Sequence, residues 1–84
     1  MTRYSVVWVR SAQDELANLW LSASDREHVT AAANAVDEAL VENARDRGVE
    51  LSEGLRCLFA PPLKVIFVVR QGDRIAEVLR VGPI

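Results

Sequence analysis

Few residues of this chain could take part in chemistry, and most of those are cations. The chain has a single histidine, His28, and a single cysteine, Cys57. His28 falls in the first turns of a predicted helix, where a solvated side chain is expected. Cys57 lies in an apolar run, which favours a buried small hydrophobic residue over a reactive thiol. The remaining candidates are Arg56, Lys64 and Arg80, whose positive charges could stabilise negative charge on a bound group.

These three cations lie in the second half of the chain, whose sequence predicts three strands. Residues 55–59, 63–70 and 74–81 are rich in β-branched, aromatic and other apolar side chains. Two prolines end the first of these strands, and the short turn at residues 71–73 contains a glycine. Strands joined by such short turns predict an antiparallel meander.

The first half of the chain predicts one strand and two helices. Residues 3–9 have strand composition, and a helix to residue 22 follows, with Ser11 as its predicted N-cap. A longer helix begins at Ser24 and ends before Gly48. The order is strand, antiparallel helix hairpin and three-stranded meander (β-α-α-β-β-β). This order predicts a single α+β domain over residues 1–84, with the helices on one face of the sheet.

Alternation along the three C-terminal strands predicts two apolar sheet faces. One face should pack on the helices and comprises Leu55, Cys57, Phe59, Leu63, Val65, Phe67, Val69, Ile75, Leu79 and Val81, interrupted by Glu77. The other comprises Arg56, Leu58, Lys64, Ile66, Val68, Arg74, Ala76, Val78 and Arg80. Because one hairpin covers one side only, the second face should be open and bind a partner. The expected partner-binding residues are Leu58, Lys64, Ile66, Val68, Val78 and Arg80. The alternative is that the C-terminal tail, the loop at residues 50–54 or a homodimer covers this face.

Composition restricts the class of protein further. With 12 acidic and 10 basic residues the net charge is −2, which does not indicate nucleic-acid binding. No apolar stretch reaches 18 residues and the N-terminus is not a signal peptide, so neither a membrane span nor secretion is expected. An unpaired cysteine suits a reducing compartment, and a cytoplasmic protein is expected. The sequence shows neither a metal-ligand cluster nor a phosphate-binding loop, so no metal and no cofactor are expected.

Several segments together resemble the toxins of the RelE/ParE superfamily. They are residues 54–56, 62–69 and 73–81, with residues 11–16 opening the helix hairpin. The resemblance implies a toxin of a bacterial type II toxin–antitoxin system, neutralised by a cognate antitoxin. In the RelE branch it implies an endonuclease that cleaves mRNA on the ribosome. In the ParE branch it implies a protein that inhibits DNA gyrase.

The resemblance also assigns positions. Arg56 matches a basic position on the second strand and Lys64 a cation near the start of the third, so a nuclease would use Arg56, Lys64 and Arg80 as catalytic residues. The RelE branch has a further arginine and a tyrosine after the fourth strand, where this chain has Pro83 and Ile84. Cleavage by a 2′-hydroxyl group also needs a base, which these residues lack unless burial or neighbouring cations strongly lower the pKa of Lys64.

The sequence therefore favours a toxin nearer the ParE branch, which acts by protein binding through the mixed sheet face and the helix hairpin. A RelE-type endoribonuclease is the alternative, and a non-toxic family member that still pairs with an antitoxin is another. Whether the chain is an enzyme stays open at this point.

Overall fold

A computed structural model describes residues 3–84, and its elements run strand, two helices, four strands. The elements are β1 (Ser5–Trp8), α1 (Arg10–Ser22), α2 (Arg26–Asn43), a 3-10 turn (Ala44–Asp46), β2 (Val49–Ser52), β3 (Leu55–Ala60), β4 (Leu63–Arg70) and β5 (Ile75–Pro83). The predicted α+β class and the order of strand, helix hairpin and meander are confirmed. Strand β2 was missed because it has only four residues, and all four are exposed.

The five strands form one mixed sheet in the order β1-β5-β4-β3-β2. Strands β3, β4 and β5 are the antiparallel meander, and β2 extends it at one edge by pairing with β3. At the other edge β1 lies parallel to β5. Parallel neighbours need a crossover connection, and the helix hairpin lies on the long crossover from β1 to β5.

Helix α1 follows β1 without a side-chain cap. Its N-cap is Val9, whose N–H donates to the Val78 carbonyl at 3.1 Å and so continues the bonding between β1 and β5. The prediction that Ser11 caps this helix is wrong, because the strand leads directly into the helix and places Ser11 inside its first turn.

Helix α2 begins one residue later than predicted. Its N-cap is Asp25, whose carboxylate accepts the His28 N–H at 3.1 Å. Ser24 was the expected cap, but the carboxylate of the next residue makes the same kind of bond and adds negative charge at the positive end of the helix.

The core lies between the helices and one face of the sheet. Its largest fully buried side chains come from α2 and from β4 and β5, namely Val36, Leu40, Leu63, Val65, Phe67 and Val78. Half-buried side chains of α1, among them Leu16 and Leu19, pack against this cluster. Both helices therefore shield the same face. Among residues 3–84 no helix combines the length and the apolar character that crossing a bilayer would require.

The predicted division of the strands between the two faces is partly wrong. Ala60 pairs with Leu63, so even-numbered residues of β3 share a face with odd-numbered residues of β4. Leu55, Cys57 and Phe59 therefore face away from the helices, whereas Arg56 and Leu58 lie on the helix side. The prediction had assumed that equal parity means equal face.

Strand β5 changes face partway along its length. Ala76 and Val78 pair with Val69 and Phe67 and are fully buried, so the prediction that they lie on the open face is wrong. Leu79 is an extra residue without a partner on β4, and this bulge shifts the register. Beyond it, Val81 returns to the core as predicted.

Candidate functional site

The sheet face opposite the helices is the candidate site, and it is termed the open sheet face. Its register assigns to it Val7, Val49, Leu55, Cys57, Phe59, Lys64, Ile66, Val68, Arg70, Ile75, Glu77 and Arg80. None of these residues belongs to the cluster that packs on the helices. Predicted residues Lys64, Ile66, Val68 and Arg80 do lie here.

The centre of the open sheet face is apolar. Leu55 pairs with Val68 and Cys57 with Ile66, so these side chains stand together across β3 and β4, where Cys57 is buried and the other three are half-buried. Phe59 extends the patch at one end, with 56% of its surface exposed. Contiguous apolar surface of this kind marks an interaction site more often than a solvated sheet.

Most cations on the open sheet face are paired with carboxylates. Arg70 contacts Glu77 at 3.2 Å, and Arg80 Nε donates to a Glu15 carboxylate oxygen at 3.0 Å. Within residues 3–84, Lys64 is the cation of this face that makes no ion pair. The face is therefore apolar with little net charge.

Lys64 and Arg80 line one small cavity of about 270 Å³ at the end of the sheet. Gly82 lies opposite Lys64 on the neighbouring strand, and its missing side chain leaves room there. Ile66 forms the apolar wall. The structure thus brings together two of the three cations predicted from the sequence.

Arg56, the third cation, lies on the other side of the sheet. Its guanidinium donates to the carbonyls of Arg47 at 2.8 Å and Gly48 at 3.2 Å and also contacts Glu50 at 3.8 Å. These carbonyls follow the helical segment, where cations are favourable. Arg56 therefore stabilises a chain turn and does not join Lys64.

Two predicted partner-binding residues are also absent from the open sheet face. Val78 has no exposed surface and contributes to the core, and Leu58 is half-buried on the helix side, where it packs against the core. Their placement corrects the prediction, and the physical reason is the pairing register described above.

Glu15 was not predicted, yet it joins α1 to the end of β5. Strand β1 ends at Trp8, so β5 has no strand neighbour on that side beyond Val78. One Glu15 oxygen accepts the Val81 N–H at 2.9 Å, and the other accepts from Arg80. The Val81 N–H, assisted by Arg80, lowers the pKa of Glu15 below its ordinary value. Glu15 and Arg80 are 65 residues apart, so no local pattern could have revealed the pair.

A second apolar concavity lies between the two helices. This groove has a volume of about 570 Å³, and its lining includes Leu16, Ala33 and two tryptophans. The indole N–H of Trp8 donates to Asp37 at 2.7 Å, and the Arg26 guanidinium stacks 4.7 Å from the centre of the Trp20 ring. The Trp8 indole N–H is thereby satisfied within the protein.

Similarity to known proteins lies in the fold. Neither a protein-family model nor a curated protein matches this sequence. A chain of the toxin–antitoxin complex RelBE2 from Mycobacterium tuberculosis superposes with a TM-score of 0.83 at 16% identity, covering 100% of this chain and 94% of that one.

Two further assemblies give similar matches. A chain of the chromosomal ParDE toxin–antitoxin system of P. aeruginosa has a TM-score of 0.67 at 18% identity, covering 98% and 97% of the two chains. A chain of the archaeal RelE–RelB complex from Pyrococcus horikoshii OT3 has a TM-score of 0.66 at 17% identity, covering 98% and 96%. Each match spans nearly the whole of both chains.

Proposed function

We propose that this chain, which has the fold of the RelE/ParE toxins, is the toxin of a type II toxin–antitoxin pair. Two of the three structures described above are toxin–antitoxin assemblies and the third is a RelE–RelB complex, which supports a cognate antitoxin as the partner of this chain. We propose further that the toxin acts by binding another protein with the open sheet face.

One observation carries the protein-binding part of the proposal: the open sheet face combines a contiguous apolar centre with paired charges. Protein interfaces have apolar cores depleted in charge and bordered by polar groups. Nucleic acids are bound instead by uncompensated cations that replace the counterions of the phosphates. On this face, Glu77 and Glu15 offset Arg70 and Arg80.

The target that these features favour is DNA gyrase, as in the ParE branch. A RelE-type nuclease would need its cations and a proton acceptor around one phosphate. Arg56 bonds to carbonyls on the other side of the sheet, and His28 is an exposed residue in the first turn of α2, which packs on that same side. Within residues 3–84, the lining of the cavity at Lys64 and Arg80 contains neither a histidine nor a carboxylate. The neighbouring Glu15 carboxylate already accepts from Arg80 and from the Val81 N–H, so it is not free to act as a base.

Expression of the chain in bacterial cells tests the proposal. The expected result is arrested colony formation together with induction of a DNA-damage reporter, both reversed by co-expression of the protein encoded beside its gene. Cleavage of translated mRNA without DNA damage would instead establish the nuclease alternative. Normal growth at confirmed expression would contradict any toxic function.

A matched pair of variants tests the surface. Phe59 on the open sheet face and Leu21 at the end of α1 are 56% and 59% exposed, so aspartate at either position should leave the fold intact. Phe59→Asp should abolish growth arrest, because it puts a charge into the apolar patch. Leu21→Asp should remain toxic. The opposite outcome would move the interaction to the helix hairpin.

A further inference from the structure

Arg80 is the cation of the open sheet face whose charge is neutralised from outside the sheet. Its partner, Glu15, reaches it from α1, at a separation of 3.0 Å between Nε and the carboxylate. Arg70, in comparison, is paired with Glu77 on the neighbouring strand of the same face. The helix therefore supplies a negative charge to a surface that it does not otherwise cover.

The Glu15 carboxylate is held in place by a backbone hydrogen bond as well as by its ion pair with Arg80. An exposed pair of long side chains is worth little, because both must lose rotamer freedom to form it. Glu15 is already fixed by the Val81 N–H at 2.9 Å, an edge donor of β5 that β1 does not reach. Neutralisation of Arg80 thus follows from how α1 closes the edge of the sheet.

Without that carboxylate, the same cavity would suit a phosphate. Lys64 and Arg80 both line it, and Gly82 keeps it open. Two unpaired cations around an accessible cavity are the usual means of holding a phosphate oxygen, with arginine supplying planar donors. The negative charge of Glu15 on α1 is therefore what keeps this cavity from binding an anion.

We propose that Glu15 is a specificity-determining residue of the open sheet face, which excludes nucleic acid by neutralising Arg80. This inference rests on the proposed function, because it takes the face to bind a protein. Glu15 thus does more than stabilise the sheet edge, because its carboxylate keeps a cationic cavity from binding the phosphates of RNA or single-stranded DNA.

The test measures binding of a fluorescent oligouridylate to the purified protein by anisotropy over a range of salt concentrations. Glu15→Gln keeps an oxygen that can accept the Val81 N–H but removes the charge. Each additional phosphate contact steepens the dependence of log affinity on log salt by about 0.7 for single strands. The variant should show that increase, which is a roughly 2.5-fold greater loss of affinity between 50 and 200 mM salt.

Two controls separate the local effect from net charge. Glu38 is exposed on α2, on the other side of the sheet, and makes no ion pair within residues 3–84, so Glu38→Gln makes the same charge change elsewhere. It should leave the salt slope unchanged. Combining Glu15→Gln with Arg80→Gln restores the net charge and should return the slope to that of the wild type. Lys64→Gln, introduced into the Glu15→Gln variant, should lower the slope again, because it removes the second cation of the cavity.

Three results would overturn the inference: an unchanged slope in Glu15→Gln, an equal increase in Glu38→Gln, or a double variant whose slope stays as steep as that of Glu15→Gln. Circular dichroism of each variant establishes that the comparison is between folded proteins. Toxicity does not enter the measurement, so failure of this inference and failure of the proposed function are separate outcomes.

Discussion

The two faces of one sheet are both apolar, yet they have different physical roles. The only two phenylalanines of the chain illustrate this, because Phe67 on β4 is fully buried against the helices and Phe59 on β3 is 56% exposed on the open side. Burial on one face supplies the stability of a small domain. Exposure on the other leaves apolar area that only another molecule can remove from water. Hydrophobic content alone does not distinguish the two roles.

The largest contrast between the faces is expected when each phenylalanine is truncated. Phe67→Ala removes a fully buried ring and should cost about 3–5 kcal/mol of unfolding free energy. Phe59→Ala should cost about 1 kcal/mol or less, since much of its ring is already in water. Urea denaturation measures both, with Phe67→Leu as the milder substitution if the alanine variant does not fold. Equal losses would mean that the open sheet face is covered within the monomer.

The sequence predicts the elements of this fold better than it predicts their faces. Apolar runs and turn residues locate three of the C-terminal strands and both helices. The face of each strand depends on the pairing register, which the connection between strands decides. Ala60 pairing with Leu63 inverts β3 relative to β4, and the bulge at Leu79 inverts β5 again. The register between β3 and β4 leaves the alternation within each strand unchanged, and the bulge falls on an apolar residue of an apolar strand, so the sequence pattern reveals neither.

The candidate site was predictable where it depends on one strand. Lys64, Ile66 and Val68 alternate on β4 and do share the open sheet face. Glu15 was missed because its role arises from a contact between α1 and the far end of β5. Arg56 was placed on the wrong face because β3 is inverted relative to β4, and nothing in the strand indicates the carbonyl groups that its guanidinium meets.

The second contrast concerns one cation from each face. Arg56 is 21% exposed in its side chain and donates to two carbonyls, so Arg56→Met should cost about 0.5–1.5 kcal/mol through loss of these hydrogen bonds, whose acceptors water can still reach. Lys64→Met should change stability by about 0.5 kcal/mol or less, as for a typical surface substitution. Thermal denaturation of the two variants gives the comparison. A larger loss for Lys64→Met would show that Lys64 is structural and would remove it from the candidate site.

The smallest expected effect is the pH dependence of stability contributed by Glu15, which lies where α1 meets the edge of the sheet. Its pKa in the folded protein is lowered from 4.5 by the Val81 N–H and by Arg80. The ionised form is therefore favoured by folding, and its stabilisation is fully present above about pH 4.5. That stabilisation is lost as the pH falls through the lower pKa of the folded state. At neutral pH, Glu15→Gln should be less stable than the wild type by about 1 kcal/mol or less.

Glutamine does not titrate, so the difference in unfolding free energy between the wild type and Glu15→Gln should shrink as the solution is acidified below the ordinary pKa of Glu15. Glu38→Gln is the control, because it removes an exposed carboxylate elsewhere. Urea denaturation at a series of pH values from neutral to acidic measures the two differences. A gap between wild type and Glu15→Gln that stays constant with pH would show that the carboxylate contributes through its shape alone. In that case the charge at the edge of β5 would not be coupled to folding, and α1 would close the sheet edge without fixing the charge of the open sheet face.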